Sequence, residues 1–403
     1  RGRLVSFVAR GFDVTAGVPV RGLLLETAAD SHVLMIVMHH ISADGFSVAP
    51  LARDVMIAYG SRSEGNAPVW SPLEVQYADY TLWQRDVLGA VDDPDSVLAK
   101  QLSYWKESMA GLDGPIELPF DRPRPEVQSM SGHEIGFFVP ARVMDALQEV
   151  CRGSRATLFM GVHAAFSVLL SKLGNTRDVV VGTPIAGRGD EALDHLVGMF
   201  VNTLALRLDV DPDLSFVDLV RSASAVDLGA FANADVPFEN VVEAVDPERS
   251  TAFNPLFQVG FSFQNLAPVQ ATLAGLEVAA LEPGSEISQY DLHLVVAEGH
   301  ENSEYGRGLE MAFTYATSLF DEATVQSFAD RLLRVLESVA FAPDTRVRDI
   351  EIMSDDERSV VVVERNRTEM AGVPPTVTEM LDRQFSASPD DTAIVAGDVS
   401  LTY

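Results

Sequence analysis

The run His39-His40-Ile41-Ser42-Ala43-Asp44-Gly45 holds the residue types in this 403-residue chain that can do acid–base and positioning chemistry. An imidazole exchanges protons near neutral pH and also accepts a hydrogen bond without titrating, so each histidine is a candidate general base or positioning group. Asp44 is a carboxylate able to pair with a cation. Gly45 lets the backbone make a tight turn and bring its N–H close to a reacting carbonyl. Successive strand residues point to opposite faces, so His39 and His40 do not converge on one metal or one ligand. One is expected to face a cavity and the other the core. A zinc hydrolase needs its ligands on one face, as two histidines four apart on a helix provide, and this pattern fails that requirement; no metal is expected. A serine hydrolase is excluded by the absence of a G-x-S-x-G elbow.

The elements that must position these groups are legible on either side. Residues His32 to Met38 are apolar at nearly every position, as in a central strand buried on both faces. After Asp44 and Gly45, the residues Val48, Leu51, Ala52, Val55, Met56 and Tyr59 recur at helical spacing. The order is strand, polar turn, helix, which holds an imidazole at the end of a rigid element. Further on, helices are expected over 97–109, 141–151, 157–173, 215–232 and 320–340, and strands over 136–139, 178–182, 204–208, 257–263, 292–296 and 309–315. Alternating helices and strands favour a layered mixed sheet with helices packed on it, an α/β (α+β) architecture. The Gly187-Arg188-Gly189 loop is no phosphate cradle, since no Lys-Ser/Thr pair follows and Asp190-Glu191 would repel a phosphate.

Taken together, the motifs carry a resemblance. His39 to Gly45 resembles the HHxxxDG signature of the condensation domains of nonribosomal peptide synthetases, members of the chloramphenicol acetyltransferase-like superfamily. Tyr77-Ala78-Asp79-Tyr80-Thr81-Leu82-Trp83-Gln84 is similar to that family's YxDYAxWQ segment. Val197-Gly198-Met199-Phe200-Val201-Asn202-Thr203 is similar to IGxFVNT, Asp235-Val236-Pro237-Phe238-Glu239 to DVPFE, and Asn254-Pro255-Leu256-Phe257-Gln258 to NPLFQ. The motifs follow the family's order from residue 12 to about 353.

The resemblance implies two chloramphenicol acetyltransferase-like lobes in a V-shaped arrangement, an incomplete N-terminal lobe over 1–125 and a C-terminal lobe over 126–350. Residues 351–375, with Val360 to Val363 and Pro374-Pro375, read as linker, and 376–403 resembles the start of an adenylation domain. It implies an acyltransferase that forms an amide between a carrier-bound aminoacyl or peptidyl thioester and the amine of a second aminoacyl thioester. Its partners would be upstream and downstream peptidyl carrier proteins and its own adenylation domain in cis. No cofactor is bound directly; the phosphopantetheine arms belong to the carriers. In the family's terms His40 is the active imidazole, as base or as positioning acceptor, and His39 a packing partner beneath it. Asp44 is a brace paired with Arg188, and Gly45 the turn. Ser47 and Asn202 are candidate substrate contacts. Two alternatives remain: a non-catalytic docking platform of the same fold, and an ester-forming or epimerising sibling. Docking platforms usually lose the second histidine, and His40 is present. Epimerising siblings do not precede an adenylation start.

Composition sets the outer bounds. With 59 acidic against 29 basic residues, the net charge is −30, which argues against nucleic acid and anionic membrane as partners. The single cysteine, Cys151, cannot form an internal disulfide and fits a reducing, cytoplasmic setting; it reads as a helix-packing residue. The start Arg1-Gly2-Arg3 has no initiator methionine and no secretory apolar stretch, so the chain reads as an excised piece.

Overall fold

The structure, a computed structural model, describes residues 2–8, 10–112, 114–264, 275–279, 281, 287–299, 306–368 and 375–403. It divides into two compact units, Arg1–Ile352 and Met353–Tyr403.

In the first unit, α1 (Gly2–Val8) is followed by strands β1 (Val20–Ala28) and β2 (Ser31–Met38), which pair antiparallel from Val20 opposite Met38 to Ala28 opposite Ser31. This corrects the expectation of a central strand. β2 belongs to a two-stranded ribbon, none of its residues is fully buried, and Leu34 is 55 % exposed. An apolar run fixes the strand conformation, but the number of neighbours it acquires depends on the rest of the sheet. The histidines are corrected as well. Both lie beyond β2, His39 as the cap of a short 3-10 turn over His40–Ser42, so strand alternation does not govern where they point. Helices α2 (Val48–Ser63), α3 (Tyr77–Leu88) and α4 (Val97–Ser108) follow. Ser96 caps α4 through the Ala99 N–H, and the buried Trp105 at its far end donates to the Asn233 carbonyl at 2.8 Å.

The chain then crosses in extended form toward the second half. Asp121 N–H donates to the Leu319 carbonyl at 2.9 Å, and the Arg124 guanidinium pairs with the buried Asp291 carboxylate. Strand β3 (Gly132–Pro140) and helices α5 (Ala141–Gly153) and α6 (Leu158–Gly174) lead to β4 (Asp178–Ile185) and β5 (Asn202–Asp209). After α7 (Phe216–Phe231) and α8 (Phe238–Val245) come β6 (Val259–Gln264), β7 (Leu292–Gly299), β8 (Gly308–Ala316) and α9 (Glu322–Phe341). The six strands form one mixed sheet in the order β3-β8-β7-β6-β4-β5, with β4, β6 and β7 mutually parallel.

Helices α5, α6, α7 and α9 pack against this sheet and against one another. Every residue of α6 from Met160 to Leu170 is buried, with the Phe166 ring 6.2 Å from Phe261 and 6.0 Å from Phe313. Continuous burial of the helix and near-continuous burial of Val179 to Val181 are what a layer covered on both sides requires. Cys151 belongs to this packing: a Cβ on Gly161 would fall 2.3 Å from its Sγ, and burial pushes the thiol up to about 11. No single helix among the described residues is long and apolar enough to cross a membrane.

In the second unit, α10 (Asp355–Ser359) opens on a Ser354–Glu357 capping box and runs into a π-helical turn over Val360–Glu364. The four valines expected as linker are therefore helical. Pro374 lies outside the described residues. Helix α11 (Val377–Ala387) precedes a hairpin of β9 (Thr392–Ala396) and β10 (Val399–Thr402), turned at Gly397 with φ +60°.

Candidate active site

The HHxxxDG run is folded by its own side chains before anything else touches it. His39 accepts from the Ile41 N–H through Nδ1 at 3.1 Å, which caps the 3-10 turn and leaves the proton of the neutral ring on Nε2. Its ring meets Phe12 edge-on at 6.0 Å, and Phe12 in turn carries the Arg21 guanidinium 3.9 Å from its centroid. His40, the next residue, is exposed, and its imidazole makes no hydrogen bond to a described residue.

Asp44 and Ser47 close a reciprocal capping box around a second 3-10 turn, Gly45–Ser47, that opens α2. Ser47 N–H donates to Asp44 Oδ1 at 2.8 Å, and Asp44 N–H donates to Ser47 Oγ at 3.2 Å. Gly45 is exposed and its φ is not positive, so the turn is made by the cap and not by left-handed backbone at the glycine.

This capped turn docks on the segment between β4 and β5. Phe200 N–H donates to Asp44 Oδ2 at 3.0 Å, Gly198 N–H donates to Ser47 Oγ at 3.1 Å, and the Gly198 carbonyl lies 2.9 Å from the same oxygen. Arg188 Nη2 reaches Asp44 Oδ1 at 3.1 Å and Ser47 Oγ at 3.2 Å, while Nη1 donates to the Leu193 and Leu196 carbonyls. The guanidinium also sits 4.1 Å from the Phe200 ring centroid. The Asp44 and Arg188 side chains are 0 % and 4 % exposed, so the ion pair is fully desolvated and depends on these added hydrogen bonds. Gly187 is required beside it: φ is +63°, and a Cβ there would fall 1.9 Å from the Phe200 carbonyl oxygen.

Helix α3 completes the clamp. Tyr77 Oη donates to the Met199 carbonyl at 2.6 Å, and its ring contacts Phe200 at 5.1 Å. A Cβ on Gly198 would strike that ring at 2.4 Å. Desolvation, and then the nearby Asp44 charge, push the Tyr77 phenol above its ordinary range, keeping it a neutral donor. Trp83 of the same helix is 58 % exposed, so the aromatic residues of α3 do not all serve the core. Arg53 of α2 adds a peripheral bridge, with Nη1 3.0 Å from His195 Nδ1.

Two expected substrate contacts are corrected. Ser47 is fully buried, and its hydroxyl is consumed by Asp44, Gly198 and Arg188. Asn202 donates both Nδ2 protons, to the Ala234 and Val236 carbonyls, and accepts from Thr203 and Phe238 N–H through Oδ1. A carboxamide has no further polar capacity, so Asn202 ties β5 to the start of α8. Ser47, Gly198 and Phe200 enter the clamp through contacts that no spacing in the sequence encodes, although Asp44 before the helical pattern is an N-cap residue type.

The chain matches the family described as Condensation domain over residues 4–362. It belongs to the condensation-domain family. It is 44 % identical over 394 residues to a probable non-canonical nonribosomal peptide synthetase, CymA, of Salinispora arenicola, covering 97 % of this chain and 5 % of that protein. It is 41 % identical over 405 residues to the isonitrile lipopeptide synthase of Mycobacterium tuberculosis, covering all of this chain and 16 % of that protein. Among solved structures it is similar to the X-domain in its complex with OxyB from teicoplanin biosynthesis, at TM-score 0.82 and 32 % identity, over 88 % of this chain and 77 % of that one. The mixed sheet with its packed helices is thus the chloramphenicol acetyltransferase-like fold of condensation domains. The chain spans less than a fifth of the length of these two synthetase relatives.

Proposed function

We propose that this condensation domain forms an amide bond between two carrier-bound thioesters. The donor is an aminoacyl or peptidyl thioester on an upstream phosphopantetheine arm, and the nucleophile is the α-amine of an aminoacyl thioester on a downstream arm. The C–N bond forms as the C–S bond breaks, the donor thiolate leaves and takes a proton, and the lengthened chain remains on the downstream carrier. His40 receives or directs the amine proton. The demand on it is modest, because an α-amine has a reference pKa near 7.7 to 8.0 and is partly neutral at cellular pH. Aiming the amine is therefore its larger task, and proton removal after attack its smaller one. His39 holds the turn, and Asp44 with Arg188 holds the turn against the second half of the domain. The adenylation start read in residues 376–403 belongs to the same proposal, as the domain that loads the downstream carrier in cis.

The observation that carries this reading is the contrast at His40: an exposed imidazole that makes no hydrogen bond to a described residue, mounted on a turn whose other end is buried in a charged clamp. The test is amide formation by the full-length synthetase with two loaded carriers, comparing wild type with His40→Ala between pH 6.5 and 9. The expected result is a loss of about a hundredfold or more in rate. An unchanged rate in the variant sinks the role of His40. The similarity to the X-domain favours a second reading, a docking platform for a partner protein. No amide from the wild type with L or D donors would select that reading.

A further inference from the structure

Arg21, Phe12 and His39 form a stack of side chains that ends against the turn carrying His40. Arg21 stands on β1 opposite Val37, two residues before His39. Its guanidinium lies 3.9 Å from the Phe12 ring centroid and 5.6 Å from that of Phe7. Nη1 donates to the Gly11 carbonyl at 3.0 Å, and Nη2 donates to the Arg10 carbonyl and, at 3.5 Å, to that of Phe7. Nε is buried and makes no hydrogen bond to a described residue. The chain has 59 acidic residues, yet among the described residues no carboxylate pairs with Arg21. Its charge is directed instead at a ring face and at backbone carbonyls, which staples residues 7–12 across the end of the β1–β2 ribbon.

Phe12 depends on that staple, because residues 10–13 form neither strand nor helix. Its ring in turn bears on His39, edge-on at 6.0 Å. The His39 backbone is already fixed: its N–H donates to the Pro19 carbonyl at 2.9 Å, and its carbonyl accepts from the Ser42 N–H at 3.0 Å and from Ser42 Oγ at 2.8 Å. The imidazole is held by different contacts, the Ile41 N–H on Nδ1 and the Phe12 ring. A half-turn of the imidazole would put Cδ2 where Nδ1 stands and leave the Ile41 N–H without its cap. Phe12 packs against that rotation. Ile41 follows His40 directly, so a loosened cap displaces His40.

We infer that Arg21 and Phe12 are positioning residues for His40: Arg21 sets Phe12, Phe12 sets the His39 ring, and the His39 cap sets the turn on which His40 stands. The inference rests on the condensation reading above, in which His40 meets the amine. The stack acts through His39 and not on the reacting atoms. Its loss is therefore felt as misalignment, for which an error of about 1 Å costs up to about a hundredfold in rate.

Two measurements on the same variants separate the stack from the chemistry. The first needs no turnover. In the full chain carrying isotope-labelled histidine, NMR at about pH 9, where an ordinary imidazole is neutral, should show His39 as one tautomer with its proton on Nε2. Phe12→Leu and Arg21→Ala should each mix the tautomers and speed hydrogen exchange of the Ile41 amide about tenfold. Phe12→Tyr, which keeps the ring, should match wild type. Arg21→Lys should behave as Arg21→Ala does, since an ammonium cannot serve the carbonyls and the ring face together, and it replaces Arg21→Ala should that variant not fold.

The second measurement is amide formation by the full-length synthetase with loaded carriers. Phe12→Leu and Arg21→Lys should lower kcat about tenfold while KM for either loaded carrier stays within about twofold of wild type, and Phe12→Tyr should recover most of the loss. A wild-type His39 spectrum and wild-type Ile41 exchange in both Phe12→Leu and Arg21→Lys overturn the stack. So does a wild-type kcat in variants whose turn has loosened, when His40→Ala shows its own large loss. If His40→Ala turns over normally, or wild type forms no amide, the condensation reading falls, and the exchange result alone decides whether the stack holds the turn.

Discussion

Four residues apart in one motif, His40 and Asp44 occupy opposite environments. His40 is exposed and makes no hydrogen bond to a described residue, whereas Asp44 is buried and bonded to Ser47, Phe200 and Arg188. The difference separates two demands that a reactive site makes on its residues. A group that must meet a substrate keeps its polar atoms free, and a group that must fix geometry spends all of them within the fold. The largest expected effect tests the second half of that statement. Arg188→Ala leaves the Asp44 carboxylate buried without its cation and should lower unfolding free energy by about 3–5 kcal/mol, measured by urea denaturation. A loss below about 1 kcal/mol would mean that the carboxylate is satisfied by the Phe200 and Ser47 N–H groups alone.

A second histidine sharpens the comparison from the buried side. Burial lowers His293 from 6.5 to about 4, so between those values the folded protein binds fewer protons at this site than the unfolded chain. Its neutral form is favoured in the fold, the contribution is complete above about pH 6.5, and it disappears as the pH falls through 4. The difference is worth about 3 kcal/mol. Wild type should therefore lose about that much more stability between pH 7 and pH 4 than His293→Gln does, read from paired denaturation curves. Equal pH slopes would show that the imidazole is hydrated in the native state.

Much of the second half was legible in sequence because its signals are local. The α6 pattern and the short apolar strand β4 each report on one element at a time. The β1–β2 ribbon was misjudged because an apolar run does not encode the number of strands beside it. At the site, the ion pair of Asp44 with Arg188 was expected from the family resemblance, and the two side chains meet across 144 residues of sequence. The jobs of Ser47 and Asn202 were hidden for a different reason. Short polar side chains serve caps and ligands equally well, and only the positions of the Gly198 and Ala234 carbonyls decide between them.

Ser47 supplies the next effect in size. Ser47→Ala removes the one oxygen that joins Asp44, Gly198 and Arg188, and leaves the Gly198 N–H and carbonyl without that partner. A loss of about 2 kcal/mol is expected, with the Gly198 amide gaining the most in hydrogen exchange. If exchange rises uniformly across α2 and not at Gly198, the hydroxyl acts as a helix cap and not as a bridge between the halves.

The smallest expected stability effect belongs to the residue on which the chemistry depends. His40→Ala removes an exposed side chain that makes no hydrogen bond to a described residue, so its unfolding free energy should stay within about 0.5 kcal/mol of wild type, read from the same urea curves. Paired with a large loss of amide formation, that result would place function and stability on different residues of one seven-residue motif. A loss of stability comparable to that of Arg188→Ala would place His40 inside the clamp and remove the reason for assigning it the amine proton.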